Sequence, residues 1–216
     1  NYKIIDIREL AAQGNFEHYL KTVPCTYSIT TKLDITNIKS RNLKLYPALL
    51  YCLTKTVNKH EQFRTALRAD GRLVVYDFMH PCYTVFHKDS KTFSNIWTEF
   101  CDDYNAFCRR YNGDILHYGD KKGFMTKPDM PENVLLFNAA MDYFDGFNLN
   151  INRLIIFADF TVGRYEQVNG KYIIPLAVQV HHAVCDGYHA SCFITDLQKE
   201  IDALFKAALA VLSGQV

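Results

Sequence analysis

A strand end, a turn and a helix start meet within the segment Gln179-Val180-His181-His182-Ala183-Val184-Cys185-Asp186-Gly187. Alternation along a strand sends His181 and His182 to opposite faces, so only one of the two imidazoles can point into a given cleft. Gly187 permits the tight backbone that a strand-to-helix turn needs. The apolar residues that follow recur at helical spacing and predict a final helix with one buried face: Phe193, Leu197, Ile201, Leu204 and Phe205.

A β-hairpin is predicted directly before this segment. Residues 153–166 and 171–180 are both strand-like, and Asn169-Gly170 between them is a dipeptide typical of two-residue hairpin loops. Further strands are predicted at 24–36, 72–78, 82–87, 92–97 and 134–138, and further helices at 102–117 and from Tyr46 onward. This order favours the α/β (α+β) class, with a mixed sheet covered by helices on one side. No repeat or linker interrupts it, so we expect a single domain over residues 1–216.

The composition excludes several classes of protein. With 49% hydrophobic residues and only 10 Gly and 6 Pro among 216, the chain is neither collagen-like nor disordered. The 24 Lys and Arg nearly balance the 23 Asp and Glu, which leaves no electrostatic footprint for nucleic acid or an anionic membrane surface. We therefore expect no nucleic-acid or membrane partner, and the function must depend on a local site.

The cysteines and the apolar runs indicate the compartment. Seven cysteines form no CxxC pair, which argues against a disulfide framework or a structural zinc site. The first residues lack a signal-peptide pattern, and no apolar run approaches the roughly 20 residues of a membrane helix. We expect a soluble cytoplasmic protein without a bound metal.

The histidines of the 179–187 segment admit two interpretations. An imidazole titrates near neutrality and is a natural general base for a hydroxyl or thiol nucleophile, with Asp186 fixing the turn or the ring. Alternatively, the histidine is a core residue satisfied by the backbone, and Asp186 caps the final helix. Residue types and spacing alone leave both interpretations open.

A family resemblance favours the catalytic interpretation. The sequence HHAVCDG at 181–187 matches the HHxxxDG signature of CoA-dependent acyltransferases, which dihydrolipoyl acyltransferases and peptide-synthetase condensation domains share. Further segments occur in order and at similar spacing over roughly residues 1–205: Phe16-Glu17-His18-Tyr19, Thr84-Val85-Phe86-His87, Pro131-Glu132-Asn133 and Phe147-Asn148-Leu149-Asn150. In this combination the chain resembles the trimeric, type A chloramphenicol acetyltransferases.

The resemblance implies a fold and a reaction. The fold would be a two-layer sandwich, assembled as a homotrimer with active sites at the subunit interfaces. The reaction would be transfer of an acetyl group from acetyl-CoA to a primary hydroxyl of chloramphenicol, which inactivates the antibiotic. His182 would act as the general base in a direct transfer without an acyl-enzyme, and Asp186 would brace the turn that presents it.

Other site residues follow from the same resemblance. The family places an oxyanion-binding serine just after Pro-Glu-Asn; counting forward from Pro131 reaches Asn138, whereas counting backward from Phe147 reaches Phe137. We favour Asn138 because an amide can donate a hydrogen bond. Thr161 matches a threonine that holds a water beside the reaction centre. The resemblance assigns Tyr165 to the coenzyme. It assigns the other residues to the acceptor pocket: Tyr19, Val23, Cys25, Tyr27, Thr84, Phe93 and Phe144.

The chain also departs from the family pattern. Residues 10–15 contain no arginine, although the family has one there that pairs with the aspartate of HxxxDG. Asp186 therefore needs another partner. Two alternatives follow: an acetyltransferase of the same fold that acts on another hydroxylated acceptor, or a ligand-binding relative without catalysis.

Overall fold

The computed structural model describes residues 1–6, 15–139, 156 and 158–212. These residues form a three-stranded and a seven-stranded sheet. The strands, in chain order, are β1 (Tyr2–Ile4), β2 (Thr26–Asp34), β3 (Thr65–Leu67), β4 (Leu73–Tyr76), β5 (His80–His87), β6 (Thr92–Trp97), β7 (Val134–Ala139), β8 (Asp159–Val162), β9 (Glu166–Val168) and β10 (Lys171–His181).

The larger sheet is mixed, as predicted. Its order is β2-β10-β8-β7-β5-β6, and β9 pairs with one end of β10. The pairs β5–β7 and β7–β8 are parallel, and the other pairs are antiparallel. The small sheet has the order β1-β4-β3. β10 lies between β2 and β8, and its histidine end is held by β2, which pairs with it as far as His181, whereas β8 pairs with it only from Leu176 to Gln179.

In the same described ranges, five α-helical segments accompany the strands. They are α1 (Asn15–Glu17), which continues into a π-helical turn (His18–Thr22), α2 (Thr36–Ser40), α3 (Leu45–Val57), α4 (Tyr104–Tyr118) and α5 (Gly187–Leu212). Pro47 lies in the first turn of α3, where its missing N–H costs nothing. Asp103 caps α4, since its carboxylate accepts the backbone N–H of Ala106 at 2.5 Å.

The main core lies between the larger sheet and its helices. Phe137 on β7 and Phe160 on β8 are opposite each other in the parallel register, and both are fully buried. Phe193 of α5 stacks on Phe63, with ring centroids 4.2 Å apart, and Phe160 lies beside both rings. Alternation sends Asn138 and Thr161 to the opposite face. The expectation of a mixed sheet with helices packed on one side is confirmed.

Three local differences from the sequence expectations have physical causes. The strand predicted to reach residue 36 ends at Asp34, whose carboxylate accepts the backbone N–H of Thr36 at the start of α2. Of the long strand predicted at 153–166, residues 153–155 and 157 lie outside the described residues, and the remainder is interrupted between β8 and β9, at 163–165. The hairpin turn itself is confirmed, because Asn169 and Gly170 have φ of 51° and 78°. The three-stranded sheet was not predicted as a unit: β4 lies within the strand expected at 72–78, but β1 and β3 have only three residues each and were missed.

Candidate active site

His182 is held at the junction between β10 and the turn that follows. Its backbone N–H donates to the carbonyl of Cys25, 2.9 Å away, just before β2 begins. His181 is buried, and its Nδ1 accepts the backbone N–H of Ala183 at 3.1 Å. The turn closes because the N–H groups of Val184 and Cys185 both donate to the His181 carbonyl. The two histidines therefore separate as alternation predicts, with His181 in the interior and His182 half-buried.

Two aromatic side chains fix the ring of His182. Tyr19 lies parallel to it, with centroids 4.1 Å apart and planes within 4°, and Tyr27 meets it edge-on at 5.3 Å. The Tyr27 hydroxyl donates to the carbonyl of Cys185 at 3.1 Å and so ties β2 to the turn. Burial raises the pKa of Tyr27 above its usual range, which keeps this hydroxyl neutral. The Nδ1 atom of His182 is buried and has no hydrogen-bond partner among the described residues.

Asp186 caps α5. Its Oδ1 accepts the backbone N–H of His189 at 3.1 Å and lies 2.9 Å from Nδ1 of that ring. The same Nδ1 accepts the backbone N–H of Asp186 at 3.3 Å. The backbone hydrogen bond from His189 lowers the pKa of Asp186. His189 thus supplies a contact for the carboxylate that the sequence alone did not reveal.

A second set of predicted site residues lies on the face of the sheet opposite Phe137 and Phe160. Asn138 is opposite Thr161 in the parallel register of β7 and β8, and Ala139 donates its N–H to Oγ1 of Thr84 at 3.5 Å. Phe137, the alternative at the serine position, lies on the other face and packs on Tyr46. We call Thr84, Asn138 and Thr161 the sheet-face group.

The amide of Asn138 has a partner that sequence reasoning missed. Its Nδ2 donates to both carboxyl oxygens of Asp159, at 2.9 and 3.1 Å. Asp159 is only 2% exposed, and burial raises its pKa to about 7. The signal available in the sequence was the position of Asp159, an acidic residue within an apolar run that includes Ile156, Ala158, Phe160 and Val162.

The sheet-face group and His182 are far apart within one chain. Thr161 is opposite Ala177 on β10, and His182 follows Ala177 by five residues. At a rise of about 3.4 Å per residue, the two positions are separated by about 17 Å along the strand. The structure brings His182 together with Tyr19, Cys25 and Tyr27, and it does not bring it together with Asn138 or Thr161.

The other predicted binding residues are dispersed. Val23 follows the π-helical turn and is 50% exposed, and Phe93 on β6 is 56% exposed. Tyr165 lies between β8 and β9, where its hydroxyl accepts from Nζ of Lys39 at 3.1 Å. Phe144 is outside the described residues. Within the described ranges, no helix is long and apolar enough to cross a membrane, and no cluster of His, Cys, Asp or Glu could hold a metal ion.

Two solved structures share the fold. A chloramphenicol acetyltransferase has a TM-score of 0.79 at 21% identity, and the match covers 93% of this chain and 100% of that one. The dihydrolipoamide acetyltransferase of Azotobacter vinelandii has a TM-score of 0.68 at 14% identity, with 95% and 94% covered. The mixed sheet, its one-sided helices and their order are therefore those of the two-layer acyltransferase fold.

Sequence comparison defines the family. A family model described as chloramphenicol acetyltransferase matches residues 1–198. The chloramphenicol acetyltransferase of Vibrio anguillarum is 48% identical over 208 residues, which cover 94% of this chain and 95% of that protein. One from Clostridium perfringens is also 48% identical, with 94% and 99% covered. The chain belongs to the chloramphenicol acetyltransferase family, and the resemblance found in its motifs is confirmed.

Proposed function

We propose that this chain is a cytoplasmic, single-domain enzyme over residues 1–216 that transfers the acetyl group of acetyl-CoA to a primary hydroxyl of chloramphenicol. Inactivation of the antibiotic is then its biological role. The observation that carries the proposal is the placement of His182 at the end of β10, with its ring between Tyr19 and Tyr27. Family membership supports both substrates.

His182 is the general base in this proposal. Its Nδ1 is buried, so Nε2 is the nitrogen that meets the acceptor. Nε2 takes the hydroxyl proton while the hydroxyl oxygen attacks the thioester carbonyl carbon. Collapse of the tetrahedral intermediate breaks the C–S bond, and the CoA thiolate leaves with the proton from the imidazolium. No acyl-enzyme is required, and Asp186 takes no proton because its carboxylate is engaged at the start of α5.

The negative charge that develops on the thioester oxygen needs a donor, and we assign it to Asn138. Its position opposite Thr161 supports this role, because the competing Phe137 packs in the core. Thr161 then holds a water beside the same centre. Removal of one oxyanion donor costs about 10²–10³ in turnover, which is the upper expectation for Asn138→Ala. Turnover within about twofold of the parent would remove Asn138 from this role.

The separation between His182 and the sheet-face group supports a homotrimer with active sites between subunits. If both sets act on one substrate molecule, the roughly 17 Å between them along β10 requires that they come from different copies. The exposed Val23 and Phe93 would then line the acceptor pocket with Tyr19, Cys25, Tyr27, Thr84 and Phe144. Aromatic and apolar side chains of this kind suit a nitrophenyl ring. Tyr165 would contact the coenzyme.

A thiol-release assay tests the function. Purified protein is incubated with acetyl-CoA and chloramphenicol, and free CoA is followed, with chloramphenicol omitted as the blank. We expect release that depends on the acceptor, and a mono-acetylated product by mass spectrometry. Faster release with another hydroxylated compound would replace chloramphenicol as the acceptor. Calorimetric binding of chloramphenicol without any release would instead indicate a non-catalytic relative.

A further inference from the structure

A buried carboxyl lies directly beside the amide assigned to the oxyanion. Both oxygens of Asp159 are within 3.1 Å of Nδ2 of Asn138. The two N–H bonds of the amide diverge by about 120°, so the two oxygens of a single carboxyl group can accept from only one of these N–H bonds. The other N–H of Asn138 is left for a different acceptor. Asp159 therefore fixes the amide and leaves one donor for use.

Gln179 is the neighbour of Asp159 on the other side. The two residues are opposite each other in the antiparallel pair of β8 and β10, and such side chains share a face with Cβ atoms about 5 Å apart. Oε1 of Gln179 is buried and has no hydrogen-bond partner among the described residues. A carbonyl oxygen can only accept, so it requires a donor. A protonated carboxyl at Asp159 is such a donor, whereas an ionised one is not.

Burial of Asp159 favours its neutral form. On one side of Asp159, the same face of the sheet carries Leu136 on β7 and then Cys82 on β5. On the other side it carries Ser28 on β2, beyond Gln179, and His181, two residues further along β10. Burial raises the pKa of the Cys82 thiol to about 11, so it adds no charge, and none of these positions in the described part of the chain holds Lys or Arg. The Phe160 N–H and the Asn138 amide lower the pKa of Asp159, but burial outweighs them and raises it to about 7.

We propose that Asp159 is a neutral positioning residue: its carbonyl oxygen accepts from Nδ2 of Asn138, and its hydroxyl donates to Oε1 of Gln179. This inference rests on the proposed oxyanion role of Asn138. The two bonds hold the longer amide in one orientation where the family has a shorter serine. Ionisation of Asp159 would break the bond to Gln179 and place a negative charge next to the developing oxyanion, which raises the barrier in a site of low dielectric.

Infrared spectroscopy tests the proton without reference to activity. The C=O stretch of a protonated carboxyl lies apart from the carboxylate bands, so a difference spectrum between the parent and Asp159→Asn isolates it. We expect the protonated band at pH 6 and its loss by pH 8.5. A spectrum with ionised Asp159 at pH 6 overturns the inference, whatever the acceptor of the enzyme proves to be.

The pH dependence of turnover tests the consequence. Asn is isosteric with the neutral acid and offers the same donor and acceptor, so Asp159→Asn should keep kcat within about threefold of the parent at pH 6. The parent should lose about tenfold or more in kcat between pH 6 and 8.5, and Asp159→Asn should not. Asp120→Asn, which removes an exposed carboxyl, is the control and should follow the parent. The same alkaline loss in the parent and Asp159→Asn would overturn the inference. Absence of chloramphenicol acetylation in the parent at every pH would instead refute the proposed function.

Non-additivity separates positioning from general stability. Asp159→Ala frees the Asn138 amide, so it should lower kcat by about as much as Asn138→Ala, and the double variant should lose little more. KM for both substrates should change less than kcat. Additive losses in kcat would show that Asp159 does not act through Asn138. Asp159→Asn, which restores both hydrogen bonds, should recover the loss.

Discussion

The ring of His182 lies parallel to the ring of Tyr19, with centroids 4.1 Å apart and planes within 4°. Tyr19 comes from the π-helical turn and His182 from the end of β10, so the contact joins two elements far apart in sequence. Together with the edge of Tyr27 and the backbone bond to Cys25, it leaves the imidazole little freedom to rotate. A general base needs such restraint, because proton transfer depends on a fixed geometry.

Replacement of Tyr19 should therefore affect turnover more than binding. Aromatic pairs contribute about 0.5–1.5 kcal/mol beyond burial, so Tyr19→Ala should lower kcat by about 2–10-fold. Tyr19→Phe keeps the stacked ring and is the matched control, with kcat near the parent. Steady-state kinetics with both substrates measure this. Equal losses for Phe and Ala would show that the hydroxyl, and not the stack, is what matters.

Asp186 should contribute to stability through the start of α5. Loss of an N-cap costs about 0.5–2 kcal/mol, so Asp186→Ala should lower both the melting temperature and the activity, and Asp186→Asn should lower them less. The folded pKa of Asp186 is lowered, so its contribution is present above the ordinary carboxyl range and is lost as the pH falls through the folded pKa. Thermal melts at pH 7 and pH 3 check this. Unchanged melting with lost activity would indicate a direct catalytic role.

Asp159 should have the opposite pH dependence. Its folded pKa of about 7 lies above the ordinary 3.8, so the folded state keeps a proton that the unfolded state releases between about pH 4 and 7. The parent thus loses stability over that range, up to the order of 4 kcal/mol, and Asp159→Asn does not. The difference in melting temperature between them should increase from pH 4 to 7 and level off above. A difference that is constant with pH would contradict the burial of an acid at this position.

The sequence supports prediction of the elements better than prediction of their partners. The strand, turn and helix at 171–212 follow from local signals, namely alternation, the Asn169-Gly170 turn and Gly187. The family resemblance supplies His182. The Asp159–Asn138 contact has no local signal, because the residues are 21 apart and meet only through the parallel pairing of β7 and β8. Likewise, the spacing of Asp186 and His189 predicts only ordinary helix capping. The contact matters here because the arginine that pairs with this aspartate in the family is absent from residues 10–15.

Subunit mixing tests whether the site is shared between chains. His182→Ala and Asn138→Ala, each of low activity alone, are co-expressed with different tags, and hetero-trimers are purified. If each site takes His182 from one copy and Asn138 from the next, one of the three sites in every hetero-trimer contains both native residues, and activity should rise to about a third of the parent's. Variants purified separately and mixed without exchange are the control. Activity no higher than the mean of the two variants would place both residues of a site in one chain.

The most direct test is the rate of CoA thiol release from acetyl-CoA and chloramphenicol by the parent and by His182→Ala. His117→Ala is the matched control, since this exposed imidazole lies on α4 and its Nδ1 hydrogen-bonds to the Gly113 carbonyl of the same helix. We predict that His182→Ala lowers kcat by about 10²–10⁴ or more with an unchanged circular dichroism spectrum, whereas His117→Ala matches the parent. A rate for His182→Ala within about tenfold of the parent, or a loss produced by His181→Ala in its place, would contradict His182 as the base.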